Sequence, residues 1–451
     1  MPLSLWTGFA ALLACAVIAF KTAPPRTAVL VVFLGGWLFA PVGLFPAGSS
    51  QVGQTEHTYW ILGSALPSDM LVQKAWIVPI TVLLGVLLFD RAALRAWRPT
   101  WFDGPMVLWC AWPFLQSLGS LVDPRPTGAA ASLYLLGTWG LTWWIGRVYF
   151  GGVEGLRLLA RALALAGLAC LPFALAEGLI GARTYGWFFE PHPFRGDGDE
   201  RSLGWRPLGF FENGNQYGLW ISLCALIAVW WAWSRGQTEP RWRIVAGLVA
   251  AMAVAAQSVG GIALALFGAL VLWLSSRLRP RHLVAGFLAI AMIASAVYLS
   301  GAVPIARIAY DTAVGRTVVG AVKAMGGGSF TWRIAQDQRA LGLATARPFW
   351  GTGQWDWWQP LRSRPWGLAM LMLGQFGLIG MALAGSTLLL PVARVAWQAP
   401  RGDPFAPAAL PWLLAIVVVL AMLDAVLNSF VFFPAVTIAA ALISDDNRLL
   451  R

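Results

Sequence analysis

Residues 261–300 read GIALALFGALVLWLSSRLRPRHLVAGFLAIAMIASAVYLS, and this stretch decides the fold. Two uncharged runs, 260–274 and 283–300, flank a hinge that carries Arg277, Arg279, Arg281 and His282. A spanning helix needs about 20 consecutive apolar residues to cross the hydrocarbon of a bilayer. A run, a basic hinge and a second run together read as a membrane hairpin. Its turn lies on the side where Lys and Arg collect, which is the cytoplasmic side.

The rest of the chain repeats this pattern. Further spans are predicted at 3–20, 27–45, 75–89, 104–122, 127–149, 155–180, 208–233, 242–258, 366–390, 410–427 and 430–443. Asn428, Ser429 and Pro434 interrupt the last two, which also read as one broken helix. Of 451 residues 58% are hydrophobic and 12% charged, and the mean hydropathy of +0.67 is far above that of soluble domains. The predicted fold is all-α and polytopic, with about 12–13 transmembrane helices and a long, partly helical outer loop at 301–365. Residues 1–200 form a first group of spans and 201–443 a second that includes this loop. The run from Leu3 to Phe20 has no preceding basic segment and no small-residue cleavage site, so it reads as a retained span.

Composition also narrows the chemistry. Cys15, Cys110, Cys170 and Cys224 all fall inside apolar runs, where a free thiol behaves as a small hydrophobe. His57, His192 and His282 lie too far apart for zinc-type spacing, so neither a metal nor another cofactor is expected. The net charge of +12 would suggest nucleic acid in a soluble chain, but here it divides between two membrane faces. Eighteen of the 32 basic residues sit in connections that alternate correctly with the spans, among them Arg91, Arg95, Arg98, Arg235, Arg241, Arg243 and Arg394. The other fourteen face outward. Lys74 and Arg125 lie in short outer connections, and twelve arginines and lysines gather at 183–206 and 301–365. The guanidinium fork matches phosphate oxygens, so outer arginines beside the bilayer suggest a lipid-borne diphosphate. Solvated loop charge or headgroup contact is the plainer reading.

Two stretches sharpen the chemistry. Trp205-Arg206-Pro207-Leu208-Gly209-Phe210-Phe211-Glu212-Asn213-Gly214-Asn215-Gln216 opens into a span. Phe330-Thr331-Trp332-Arg333 leads through helix-compatible residues to Arg347-Pro348-Phe349-Trp350-Gly351-Thr352-Gly353. With Leu373-Gly374-Gln375-Phe376-Gly377 in the next span, residues 200–385 resemble the O-antigen ligase and O-antigen polymerase superfamily. The chain departs from that pattern in having Gly214 where the family favours proline. It also has Arg364-Pro365-Trp366-Gly367 where the family usually carries a histidine.

The resemblance implies a metal-independent glycosyltransferase at the periplasmic face of a bacterial inner membrane. Such an enzyme moves a glycan from an undecaprenyl-diphosphate carrier to an acceptor hydroxyl on a glycan or lipid. Ligase and polymerase differ only in that acceptor. Arg206 and Arg333 are the expected stabilisers of the leaving diphosphate, or else partners in salt bridges such as Arg333 with Asp337. Glu212 and His192 are the candidate bases. Asn213, Asn215, Gln216, Arg347, Gly351, Gly353, Trp355, Arg362 and Arg364 are candidate substrate contacts. Trp350, Trp355, Trp357, Trp358 and Trp366 serve as a sugar platform or as interfacial anchors. Glu177 and Asp424, acids inside spans, suit a polar chamber, since a mid-bilayer charge costs about 2.5–3.5 kcal/mol. A lipid-linked sugar transporter and an inactive assembly scaffold are the rival classes; a transporter should show inverted repeats, and none is visible.

Overall fold

The computed structural model describes residues 4–43, 73–119, 127–189, 199–201, 203–300, 303, 305–324, 328–355, 357–361, 365–399, 402–428 and 430–443. His192, Arg195, Arg362 and Arg364 lie outside the described residues.

Among the described residues the fold is all-α apart from one small hairpin and an isolated bridge between Gly43 and Gln73. The first half comprises α1 (Leu5–Thr22), α2 (Pro25–Phe39), α3 (Lys74–Phe89), α4 (Arg91–Ala96), α5 (Gly104–Leu118), α6 (Gly128–Leu135), α7 (Leu141–Tyr149), α8 (Gly152–Ala169), α9 (Leu171–Ile180) and α10 (Thr184–Phe188). A π-helical turn at 136–140 joins α6 to α7. The antiparallel strands β1 (Asp199–Arg201) and β2 (Gly204–Arg206) follow. Then come α11 (Gly214–Trp233), α12 (Arg241–Ala255), α13 (Val259–Leu274) and α14 (Pro280–Ser300). The predicted loop 301–365 holds α15 (Ile305–Asp311), α16 (Ala313–Ala324) and α17 (Gly328–Ala344). The chain closes with α18 (Leu368–Gln398), α19 (Leu410–Leu427) and α20 (Phe433–Ala441).

Among the described residues six helices are long and apolar enough to cross a membrane, and three shorter apolar helices (α2, α3, α13) accompany them. This is a multi-pass membrane protein. Helix α11 is central, with 83% of its apolar window buried, whereas α14 has 6% buried and presents Ile290, Met292 and Ile293 outward. Apolar side chains so exposed belong against lipid. The predicted final break is real: Asn428 and residues 430–432 are not helical and lie between α19 and α20.

The connections gather at two ends. At the arginine-rich end, Arg235 pairs with Asp403, Trp230 Nε1 donates to the Pro404 carbonyl at 2.6 Å, and Tyr149 donates to Asp90 at 2.9 Å. At the opposite, loop end, the Val42 amide donates to the Tyr185 hydroxyl at 3.2 Å and the Leu368 amide to the Asn428 carbonyl at 3.1 Å.

The loop end also contains the sharpest departure from regular helix. Helix α18 is broken at Gly377 (φ 69°, ψ −175°). A break at membrane depth frees backbone groups that lipid cannot satisfy, and here the turn 348–353 satisfies them. Thr352 N and Gly353 N donate to the carbonyls of Gly374 and Gln375, both at 2.9 Å. Leu378 N and Ile379 N donate to those of Pro348 and Phe349, at 2.8 and 3.2 Å. Gln116 Nε2 adds a bond to the Gln375 carbonyl at 2.7 Å, and Trp112 Nε1 one to that of Phe376 at 2.9 Å.

Gly351 (φ 72°) and Gly377 face each other so closely that a Cβ on either would overlap the other's backbone. Gly351→Ala and Gly377→Ala should each cost about 1–3 kcal/mol or more, from a strained dihedral plus that overlap. Gly385→Ala, where a Cβ meets open space, should leave the melting temperature in detergent unchanged. Equal melting temperatures for all three variants would contradict this packing.

Candidate functional site

Two polar clusters lie at the loop end, and they differ in what their charges are bonded to. The first surrounds the turn 206–216. Arg206 is 4% exposed on β2, and its Nε donates to the Ala256 carbonyl at 3.1 Å. Its Nη2 donates to the Gly214 carbonyl at 2.6 Å and to Asn215 Oδ1 at 2.9 Å. The guanidinium lies against the Gly214 Cα, where any Cβ would meet it within 2.8 Å. That contact accounts for glycine at 214. Asn213 caps α11 through its Oδ1, which accepts from the amides of Asn215 and Gln216, both at 3.0 Å. Gln216 and Glu212 are buried and bonded to each other: Gln216 Nε2 donates to Glu212 Oε1, and the Glu212 amide donates to Gln216 Oε1, both at 3.1 Å.

Two further buried charges fasten the same turn. Glu177 Oε2 accepts from the amides of Leu208 and Gly209, both at 2.6 Å, and Thr184 donates to its Oε1. Lys74, assigned from sequence to a short outer connection, is instead 2% exposed at the start of α3. Its Nζ donates to the carbonyls of Phe210 at 2.7 Å and Trp37 at 3.1 Å. Its ammonium also sits 5.3 and 5.2 Å from the ring centres of Trp37 and Phe211. The carbonyl of Trp37 is among the last of α2 and has no partner within its own helix, which explains a buried lysine there. The β-hairpin is fixed to the same structure by Gln257, which takes a left-handed backbone (φ 48°) between α12 and α13. Its side chain accepts from Leu203 N at 3.1 Å and donates to the Gly204 carbonyl at 3.1 Å.

The second cluster lies where α17 meets α18 and α19. Arg333 Nη1 donates to Asn428 Oδ1 at 2.5 Å, and its guanidinium lies 5.9 Å from the centre of the Trp366 ring. Asn428 Nδ2 donates in turn to Asp424 Oδ1 at 2.8 Å. Asp424 is 8% exposed, and its Oδ2 has no hydrogen-bond partner among the described residues. Asp337 Oδ1 accepts from the amides of Trp366 at 2.8 Å and Gly367 at 3.3 Å, capping the start of α18. Burial pushes the Asp337 carboxyl up to about 6, against those two amides, the Tyr298 hydroxyl and Arg333, which all favour its charged form. Desolvation likewise lowers Arg333, opposed by Asp424 and Asp337. Arg333 and Asp337, four residues apart on α17, thus interact electrostatically, and Asn428 accepts a hydrogen bond from the guanidinium.

Below this cluster runs an apolar groove of about 190 Å³ between α18, α19 and α20. Leu368, Val426 and Phe430–Phe432 line it near the Arg333 level, and Gly385 and Leu388 line it deeper.

The remaining predicted contacts are dispersed. Gly351 and Gly353 serve the pairing with α18, and Arg347 is exposed while its carbonyl accepts from Gly351 N at 2.8 Å. Trp355, Trp357 and Trp358 are at most 7% exposed and belong to the core. Among the suggested platform rings, Trp350 (52% exposed, stacked on Trp112) and Trp366 have the more open surfaces. The named partners of Arg206 and of Arg333 sit on different elements. Among the described residues no three metal-ligating side chains come together.

Arg206→Gln should therefore act mainly on stability, because it strands buried carbonyls. A loss of at least about 2 kcal/mol is expected, read as a lower melting temperature. An unchanged melting temperature would show that Arg206 does not anchor the turn.

No family model, curated protein or solved structure matches the chain, so the functional reading rests on the chemistry of these two clusters.

Proposed function

We propose that the protein is a membrane glycosyltransferase that takes its glycan from a polyprenyl-diphosphate carrier, and that the Arg333 cluster holds the diphosphate. One observation carries this reading. A half-buried arginine and an acid with an unpaired oxygen stand at the head of an apolar groove between spanning helices. A cation above a slot for hydrocarbon matches an anionic head on an isoprenoid tail. The sequence resemblance at 330–353 and 373–377 supports the same class, as does the outward orientation that the basic connections imply for this end. The count of twelve to thirteen spans expected from sequence is part of this proposal, and it requires shorter helices to cross as well.

In the proposed reaction the acceptor hydroxyl oxygen attacks the anomeric carbon of the donor glycan. The new C–O bond forms as the bond from that carbon to the diphosphate oxygen breaks, and the electron pair leaves with the diphosphate. Arg333 faces the charge that grows there, in a site of low dielectric where a fixed cation is most effective. The hydroxyl proton passes to Asp424 Oδ2, the carboxylate oxygen left unbonded. Asp424 thus takes the place sought for Glu212 or His192, since Glu212 is engaged with Gln216. Asn428 bridges acid and arginine and sets their separation. Arg206 serves the site indirectly, by fixing the turn 206–216.

The purified protein, given a polyprenyl-diphosphate oligosaccharide and candidate acceptors, should release carrier diphosphate. Arg333→Gln and Asp424→Asn should each lower kcat at least about 100-fold, the usual scale for a lost transition-state donor or general base. Gly385→Leu, which fills the groove without meeting another atom at Cβ, should raise KM for the donor and spare kcat. Undiminished turnover in Arg333→Gln and Asp424→Asn would remove the assignment. Uptake of the intact carrier-linked sugar into vesicles without diphosphate release would favour a transporter.

A further inference from the structure

We propose that the gap between α13, α14 and α19 at the arginine-rich end is a binding site for an anionic diacyl phospholipid of the adjoining leaflet. Helix α14 packs on α18 and leaves a space of about 300 Å³ against α13 and α19. Phe267, Val271, Phe287, Ile290, Ile416 and Leu420 make its walls apolar. Helix α14, which forms one wall, faces lipid, and Ile290 on it is largely exposed, so an acyl chain is the natural filling of the space.

The head of the gap is what selects the lipid. His282 lines it, and Arg277, Arg279 and Arg281 lie within the five residues before His282. No Asp or Glu occurs between 240 and 310 to neutralise them. Two acids beyond that stretch are engaged with other arginines: Glu239 pairs with Arg241 at 2.8 Å, and Asp403 with Arg235. Arg281 and Arg277 lie 5.4 and 5.7 Å from the ring centres of Trp397 and Trp273, which are 72% and 54% exposed. Arg281 Nε donates to His282 Nε2 at 3.3 Å, whereas Arg91 and Arg98 on another basic connection donate to backbone carbonyls, Arg91 to Leu87 at 2.6 Å and Arg98 to Arg95 at 2.8 Å.

Trp412 supplies an independent sign of a ligand. It lines the gap, is 4% exposed, and its indole N–H has no acceptor among the described residues. A buried donor without an acceptor is costly, and a glycerol ester carbonyl would satisfy it. Hydrocarbon alone would fill the walls but leave the donor and the cations unmet. A phosphodiester above two ester groups meets all three features, and basic pockets between helices on the cytoplasmic side are suited to such headgroups.

The test uses the delipidated full-length protein in detergent. Phosphatidylglycerol should raise the melting temperature by at least about 3 °C, as binding to the folded state requires. Phosphatidylcholine with the same acyl chains, and soluble glycerol phosphate, should not. Replacing Arg277, Arg279 and Arg281 together by Gln should reduce the phosphatidylglycerol shift to that of phosphatidylcholine. Gly286→Leu, placed in open space on the gap, should abolish the shift while the variant elutes as the wild type does. Equal shifts from both lipids, a shift from glycerol phosphate alone, or a full shift in Gly286→Leu would overturn the proposal. None of these readouts requires turnover, so the result stands apart from the glycosyltransferase reading.

Discussion

The backbone pairing between the turn 348–353 and the break at Gly377 is the constraint on which the loop end depends. A helix crossing a bilayer can be interrupted only where other protein groups take up the freed carbonyls and amides. Here four backbone bonds and two side chains from α5 do so. Because the turn follows α17 directly, the pairing also limits where α17 can lie. It thereby brings Arg333 to Asn428 at the top of α19, beside the start of α18 that Asp337 caps. The local irregularity and the placement of the half-buried guanidinium are one structural solution.

Charge at this end divides by what it is bonded to. Arg206, Lys74 and Glu177 are directed at backbone carbonyls and amides of the turn 207–214 and its neighbours. Their burial is compensated by hydrogen bonds that the irregular chain itself supplies, as buried ions require. Arg333 and Asp424 are both bonded to the neutral Asn428, beside an apolar groove, and that juxtaposition is the physical ground for the proposed donor site.

Much of the fold was legible because spanning helices and basic hinges are strong one-dimensional signals, as in 261–300. What escaped the sequence depends on partners distant in the chain. Arg206 reads as a ligand-binding cation because nothing nearby reveals that the carbonyl of Ala256, fifty residues on, accepts from it. Lys74 reads as a loop charge because its acceptors belong to Trp37 and Phe210. Gly351 and Gly353 were recognisable as a special turn, but its use as a patch for a broken helix required the φ of Gly377, which an apolar glycine-containing run does not disclose. Asp424 stood out as an acid in a span. Its link through Asn428 to Arg333 is a tertiary fact, and the proposal of Asp424 as the base rests on it.

The central claim, that a polyprenyl diphosphate lies with its head at Arg333 and its tail between α18, α19 and α20, is most directly tested by photocrosslinking. A carrier analogue with a photoreactive group in its first isoprene units would be irradiated on the protein and the adducts mapped by mass spectrometry. The account places the adducts on 368–388 and 421–436. Adducts confined to α13 and α14, or spread evenly over the lipid-facing helices, would contradict it.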